Sequence, residues 1–254
     1  MMEARHQRYW IILLAAYFLS PLLLPQTDGR QLFHKMQKAL GGADEIAAIH
    51  DYEELESAQT WFENGTSRGT VHKRVRFIRP SYLRIDQVGP GDTYVLYCNG
   101  VSGWEILPDK PGVQELTGGE LRFAQGYLNG MALNSWLNDR DPDIVLTSPL
   151  PNRIDISTKD NPGHINEITL DPDTLLPSSG KGISLADPDH PVRSETQFAE
   201  WKTVGAVKFP HRITNIHDGK RLAEITVEHV KLNSGLKIAD LESKPPDLKP
   251  VMPH

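Results

Sequence analysis

Cysteine is almost absent from this chain, which has one, Cys98, among its 254 residues. One thiol cannot form an internal disulfide, so the fold has to be stabilised by a buried core, and the chain is long enough to form one. Cys98 lies within an apolar run, where a small buried side chain is a more common role than a reactive thiol. It also lies far from the N-terminus, so no cysteine is placed there for lipid attachment.

The chain also lacks clusters of Lys and Arg, and its formal net charge is −6. Proteins that bind nucleic acids normally present a basic patch, so nucleic acid is excluded as a partner. The histidines do not form a His-Glu-x-x-His motif or a Cys/His cluster, and no glycine-rich segment has the form of a phosphate-binding loop or a nucleophile elbow. The sequence therefore predicts no metal, no cofactor and no catalytic residues, and a protein that is not an enzyme.

The chain has one long apolar run, and it lies at the N-terminus. Arg5 and Arg8 precede an apolar run from Trp10 to Leu19, which Leu22–Leu24 extends and Pro25 ends. This run is shorter than the roughly twenty residues of a membrane-spanning helix. A basic segment followed by a short apolar one is typical of an export signal. We predict a signal peptide at residues 1–25 and a periplasmic or secreted location; the site of cleavage stays open, as does an uncleaved anchor.

From Tyr52 onward the pattern predicts short strands, roughly ten residues apart, with turns between them and no crossover helices, which favours an antiparallel meander. Its clearest part runs from 79 to 108. Leu83 and Ile85 alternate with polar residues, and Asn99-Gly100 is a strong hairpin signal. The run 93–98 is apolar on both faces, so we expect it to be covered on both sides.

The last predicted strand, 221–232, changes its alternation after Val227, as a β-bulge would cause. The prolines that follow cannot continue a sheet. We predict that residues 246–254 form a mobile tail.

Helical spacing appears at Gln31–Leu40, which Gly41-Gly42 should end, and in a shorter segment at Asp44–Ile49. The long helical pattern of the body is Gly119–Leu137.

The helix 119–137 is apolar around most of its circumference, with Leu121, Leu128 and Met131 on its main stripe. Gly126 and Gly130 allow either close packing or bending. It could be a core helix or a movable lid over a cavity.

A set of short segments is spread over most of residues 30 to 245. The segments are Arg79-Pro80, Leu83-Arg84-Ile85, Asn99-Gly100 with Trp104 and Pro108, the helix that follows, Ile168–Pro172 with Thr174 and Pro177, Trp201, Val204-Gly205, Phe209-Pro210, Asp218–Lys220 and Ile225–Asn233. In these segments the chain resembles the bacterial outer-membrane lipoprotein-sorting (LolA-like) carriers. This chain departs from the family in having Asn99-Gly100 instead of Asp-Gly, and in an extra segment at 178–191.

The resemblance implies a mainly β (α+β) fold: an open antiparallel half-barrel of about ten or eleven strands with covering helices, spanning residues 26–245. It implies a carrier that binds a lipid, a lipoprotein acyl chain or another hydrophobic ligand in the concave face. Arg79 matches the arginine before proline that is tied in the family to closing the lid and passing on cargo.

We therefore expect a ligand cavity between sheet and helix in a monomeric protein, with envelope membrane proteins as further partners. Arg79 should lie at its rim, and the expected lining residues are Leu83, Ile85, Val95, Tyr97, Trp104 and Ile106. The same six residues could instead be ordinary core. The alternative function is a non-enzymatic envelope interaction or sensor module that uses the same fold without cargo.

Overall fold

The structure is a computed structural model, which describes residues 28–89, 92–184 and 189–244. The predicted signal peptide, 1–25, and the predicted tail, 246–254, lie outside the described residues.

One antiparallel sheet of thirteen strands makes up most of the described chain. Its strands are β1 (Asp51–Trp61), β2 (Ser67–Ile78), β3 (Tyr82–Gly89), β4 (Asp92–Cys98), β5 (Gly103–Ile106), β6 (Val113–Glu115), β7 (Ile144–Leu150), β8 (Arg153–Thr158), β9 (Asn166–Leu170), β10 (Pro177–Ser184), β11 (Val192–Val204), β12 (Val207–His217) and β13 (Lys220–Leu232). The spatial order is β6-β5-β4-β3-β2-β1-β13-β12-β11-β10-β9-β8-β7, so β1 and β13 join two meanders and the edges, β6 and β7, do not pair. The mainly β, open half-barrel class is confirmed.

The sheet has more strands than the ten or eleven that the resemblance implied. The expected extra segment at 178–191 supplies most of β10, which pairs with β9 and β11. Its sequence, Pro-Ser-Ser-Gly-Lys-Gly-Ile-Ser, has little β propensity of its own, so its neighbours determine its conformation. The bulge predicted in the last strand is confirmed, because the β1–β13 register shifts where His229 and Val227 face Leu55 and Glu56.

Most of the helices cover one face of the sheet. The helices are α1 (Gly29–Leu40), α2 (Ala43–Ala47), α3 (Gly118–Gly130), α4 (Ala132–Ser135) and a 3₁₀ turn (Asn138–Arg140), with α5 (Ile238–Glu242) after the last strand. The segment with α3 and α4 connects the edge strands β6 and β7. In the described residues, no helix is long and apolar enough to cross a membrane.

Two of the helix predictions can be compared with the structure. The first helix ends at Gly41, as predicted, with φ +130° there. The single helix expected at 119–137 is broken at Met131, whose backbone is extended (ψ 131°), so that the pattern forms α3 and α4. Gly130, directly before the break, is a poor helix former.

The main core lies on the helix-covered side, which we call the inner face. There Phe33 and Met36 of α1 pack in one cluster with Phe77, Leu83 and Leu96 of the sheet. Burial of these side chains is the principal stabilising contribution to such a fold.

The opposite side of the sheet is the outer face, and the C-terminal segment covers part of it. Leu241 of α5 is completely buried in a cluster with residues of β4 and β5. Beside it, the fully buried Asp86 accepts hydrogen bonds from Arg84 (3.0 Å) and Arg76 (2.5 Å). Arg84 also donates to the carbonyl oxygens of Leu241 (3.1 Å) and Ser243. The prediction that β4 is covered on both sides is confirmed.

Candidate ligand-binding site

The six residues expected to line one cavity lie on two different faces. Leu83 and Ile85 are on the inner face and belong to the main core. Val95, Tyr97, Trp104 and Ile106 lie on the outer face, under α5. The expectation of one shared lining is therefore corrected. Side chains alternate along a strand, and the residues of β4 that share a face with Leu83 and Ile85 are Leu96 and Cys98.

Arg79 lies at one end of the sheet, where β2 ends. Its guanidinium donates to the carbonyl oxygens of Ile46 (3.3 Å), Ala47 (3.4 Å) and Ile49 (3.5 Å), at the C-terminal end of α2. Burial, and then the nearby positive charge of Arg140, lower the pKa of Arg79. The long distances make these weak hydrogen bonds, so they hold α2 to the rim without fixing it rigidly.

The same rim holds the other helices by single hydrogen bonds. Asn134 of α4 donates to the carbonyl oxygens of Pro80 (2.9 Å) and Leu128 (3.1 Å). Gln125 of α3 donates to the Gly100 carbonyl oxygen (3.0 Å), in the hairpin between β4 and β5.

The predicted lid residues lie on the packed side of α3 and at its end. Leu128 is buried in the main core, and Leu121 and Met131 are partly buried against it.

The other side of α3 carries two aromatic rings that are not packed away. Phe123 and Tyr127 are 49% and 41% exposed. Tyr127 also lies within electrostatic reach of the inner face: burial, the negative charges of Glu56 and Glu54, and the proximity of Tyr94 raise its pKa. This exposed side of α3 therefore adjoins the carboxyl groups of β1.

Sequence analysis missed three polar groups on the inner face, Glu54 and Glu56 of β1 and Lys73 of β2. Glu54 and Glu56 are 7% and 6% exposed, and they share a face with the core residue Tyr52. Lys73 Nζ lies 3.8 Å from Glu56 Oε2. Burial raises the pKa of both carboxyls, that of Glu54 strongly, and Glu56 adds to the effect on Glu54 while Lys73 opposes it in both.

The sequence did contain a signal for these carboxylates. Glu54 and Glu56 occupy alternate positions between Tyr52 and Ala58, so two charged residues fall on the apolar face of the strand. Their neighbour Glu53 points to the outer face, where it pairs with Arg74 (2.6 Å). No group of three or more His, Cys, Asp or Glu side chains that could hold a metal ion occurs in the described parts of the chain.

An open antiparallel half-barrel with helices across its inner face is the LolA-like fold, and this chain has that fold. The solved structures that it resembles include an outer membrane lipoprotein-sorting protein domain from Vibrio parahaemolyticus, with 11% identity, a TM-score of 0.55, and coverage of 84% of this chain and 97% of that one. A DUF1329 family protein from Desulfovibrio piger is 11% identical, with a TM-score of 0.57 and coverage of 85% and 97%. A LolA superfamily protein from Nitrosomonas europaea is 12% identical, with a TM-score of 0.55 and coverage of 82% and 97%. The sequence matches no family model and no curated protein.

Proposed function

We propose that this protein is an exported, non-enzymatic carrier that binds the acyl chain of a lipid or lipoprotein between the inner face and α3. The observation that carries the proposal is the pair of exposed aromatic rings on α3, Phe123 and Tyr127, of which Tyr127 adjoins the carboxyl groups of the inner face. The fold shared with a lipoprotein-sorting domain supports a ligand of this class. A periplasmic site of action, a monomeric state and envelope proteins as donors or acceptors are part of the proposal.

Apolar burial supplies enough free energy for such a ligand. Each buried methylene contributes roughly 0.8 kcal/mol, so a sixteen-carbon chain gains on the order of 10 kcal/mol before ordering costs are subtracted. Release is then the harder step. Because α2, α3 and α4 are held at the rim by a few hydrogen bonds, closing the helices over an empty interior can compensate for the lost ligand contacts.

Ligand binding can be tested directly on the purified protein. We expect mass spectrometry to detect co-purified lipid, and a fluorescent acyl probe to bind with an affinity that Ile85→Asn lowers about ten-fold or more. Ile183→Asn, at an exposed position in β10, is the matched control and should bind as the wild type does. Recovery without lipid, together with no uptake of the probe, would refute the proposal. Envelope partners captured equally by the wild type and Ile85→Asn would then favour the interaction module.

Arg79 can be tested as a latch for the ligand-free, closed arrangement. Arg79→Leu removes its hydrogen bonds to the end of α2, so the open, ligand-loaded state should gain population. We expect tighter retention of the acyl probe and several-fold slower transfer to acceptor vesicles. Arg212→Leu, which breaks an exposed pair with Glu200, is the control. Unchanged loading and transfer in Arg79→Leu would show that Arg79 has no such role.

A further inference from the structure

The inner face of β1 has an unusual arrangement, because its two carboxylates are flanked almost entirely by apolar side chains. Val75 of β2 and Val230 of β13 lie directly across from Glu54, and Val227 lies across from Glu56. Lys73, opposite Glu56, is the cation of the site. Glu54 is more than nine-tenths buried and makes no hydrogen bond or ion pair with any residue that the structure describes. The Glu54 oxygens are not among the fully buried polar atoms that lack a partner, so they keep some accessible surface at which a ligand group can pair with them.

The space in front of these carboxylates is bordered by aromatic rings. The ring of Tyr127 is accessible, and it lies close enough to Glu54 and Glu56 for their charges to raise its pKa. Tyr94 of β4 is near Tyr127 and is partly buried, and burial with the neighbouring Glu105 raises its pKa too. Carboxylates combined with aromatic faces are what proteins use to bind ammonium groups, by charge attraction and by cation–π contact.

We propose that the ligand is a long-chain amphiphile with a cationic ammonium group, which binds against the Glu54 carboxylate and the Tyr127 ring while its chain follows the apolar inner face. This inference rests on the proposed carrier function and narrows it to one class of ligand.

The charges of the site favour a cation over an anion. When both carboxyls are ionised, Glu54, Glu56 and Lys73 together carry one more negative than positive charge, and Lys73 is already paired with Glu56. A carboxylate or phosphate headgroup would add a further negative charge in a poorly solvated site, where charges interact more strongly than in water. An ammonium group supplies the partner that Glu54 lacks, and it offsets the cost of ionising this buried side chain.

Three probes with the same chain and different headgroups test the proposal: dodecyltrimethylammonium, dodecanol and dodecanoate, each below its micelle concentration. Each is titrated as a competitor of a bound fluorescent acyl probe. For the wild type we expect the ammonium probe to bind about ten-fold or more tightly than dodecanoate, with dodecanol between them. In Glu54→Gln/Glu56→Gln, Lys73 is the one charged residue that remains of the three. The ratio of the affinity for the ammonium probe to that for dodecanoate should therefore fall to one or below, while the affinity for dodecanol stays the same.

The control must remove the same charge from elsewhere, because an anionic protein attracts cationic surfactants non-specifically. Glu63→Gln/Glu228→Gln neutralises two exposed carboxylates and should keep the wild-type ratio. Thermal unfolding checks that each variant folds; if the double variant does not, Glu54→Gln alone should reduce the ratio.

The outcomes separate the two proposals. If the wild type binds dodecanol, and binds dodecanoate as tightly as dodecyltrimethylammonium, the proposal of a cationic ligand is wrong and the proposed carrier function still stands. The proposal of a cationic ligand is also wrong if the control variant loses the preference for the ammonium probe over dodecanoate to the same extent as Glu54→Gln/Glu56→Gln. Failure of all three probes to bind would overturn both proposals.

Discussion

At the scale of single residues, Glu54 makes the protein's stability depend on pH in an unusual direction. Its pKa in the folded state is raised well above the ordinary value of 4.5, first by burial and then by Glu56, with Lys73 opposing. In the unfolded chain the pKa returns to the ordinary value. Between these two pKa values the folded state holds more protons than the unfolded state, so the free energy of unfolding decreases as pH rises.

We therefore expect Glu54→Gln to be more stable than the wild type at neutral pH, by about 1 to 3 kcal/mol, since the variant buries no unpaired charge. The difference should be small below pH 4.5 and should grow as pH rises through the raised pKa of Glu54. The charged groups near Glu54 are Glu56 and Lys73, and Tyr127 lies within reach of its charge.

Urea unfolding at a series of pH values measures this difference. Glu63→Gln, at an exposed position in the β1–β2 turn, should follow the wild-type curve. If the difference in the free energy of unfolding between the wild type and Glu54→Gln does not change with pH, the assignment of Glu54 as a buried, unpaired carboxylate is wrong.

At the scale of elements, the C-terminal segment is expected to stabilise the fold without taking part in ligand binding. Leu241 is completely buried against β4 and β5 on the outer face. Truncation of a buried leucine to alanine costs about 2 to 5 kcal/mol. Leu241→Ala should thus lower the free energy of unfolding by this amount, while its acyl-probe affinity under native conditions equals that of the wild type.

This result would also separate the two faces of β4. If folded Leu241→Ala binds the acyl probe more weakly than the wild type does, the outer face contributes to ligand binding, as the sequence suggested. The residues concerned are Val95, Tyr97, Trp104 and Ile106. Unfolding in urea gives the stability change, and probe titration of the same samples gives the affinity.

Local patterns in the sequence predicted individual elements better than they predicted faces. The alternation of Leu83 and Ile85 predicted β3, and Gly41 predicted the end of α1, because each signal is contained within a few residues. Which side of β4 faces the helices could not be predicted, since both sides are apolar and the covering segment is α5, far along the chain. The low β propensity of β10 likewise concealed a strand that its partners stabilise.

The candidate site was predicted only in part, for a related reason. Arg79 was expected at the rim of a ligand cavity; it lies at one end of the sheet in contact with the end of α2, and its part in ligand binding stays a prediction. Glu54 and Glu56 were not predicted as site residues, since carboxylates are rarely buried. Their alternation with Tyr52 indicates which face they share, but only the three-dimensional arrangement brings Tyr127 of α3 within reach of their charges.

At the scale of the whole molecule, α1 connects parts of the structure that the sheet alone leaves apart. The two meanders are joined in the sheet only through β1 and β13. α1 packs against β7, β8 and β12 of one meander. Its Gln37 donates to the Trp136 carbonyl oxygen (2.9 Å) and to Asp139 (2.7 Å), in the segment that follows α3 and α4.

At Gly29, α1 lies close to the edge strand β7. A Cβ atom there would lie 2.5 Å from the backbone N, Cα and C of Thr147 in β7, so even alanine cannot fit unless the helix or the strand moves. We expect Gly29→Ala to lower the free energy of unfolding by about 1 to 3 kcal/mol, the usual cost of overpacking. The amides of β7 should exchange with solvent faster, because this edge strand loses its support.

Gly126→Ala in α3 is the matched substitution, since no atom lies within 4 Å of the Cβ position there. It should raise the free energy of unfolding by about 0.5 to 1 kcal/mol through the better helix propensity of alanine. Urea unfolding should show free energies of unfolding that change in opposite directions for the two substitutions, with faster hydrogen exchange in β7 for Gly29→Ala alone. This result would establish that the contact with α1 supports the edge strand β7. If both substitutions change the free energy of unfolding equally, α1 is free to move at this contact. The helices would then be held to the sheet mainly by the hydrogen bonds of Arg79 and Asn134.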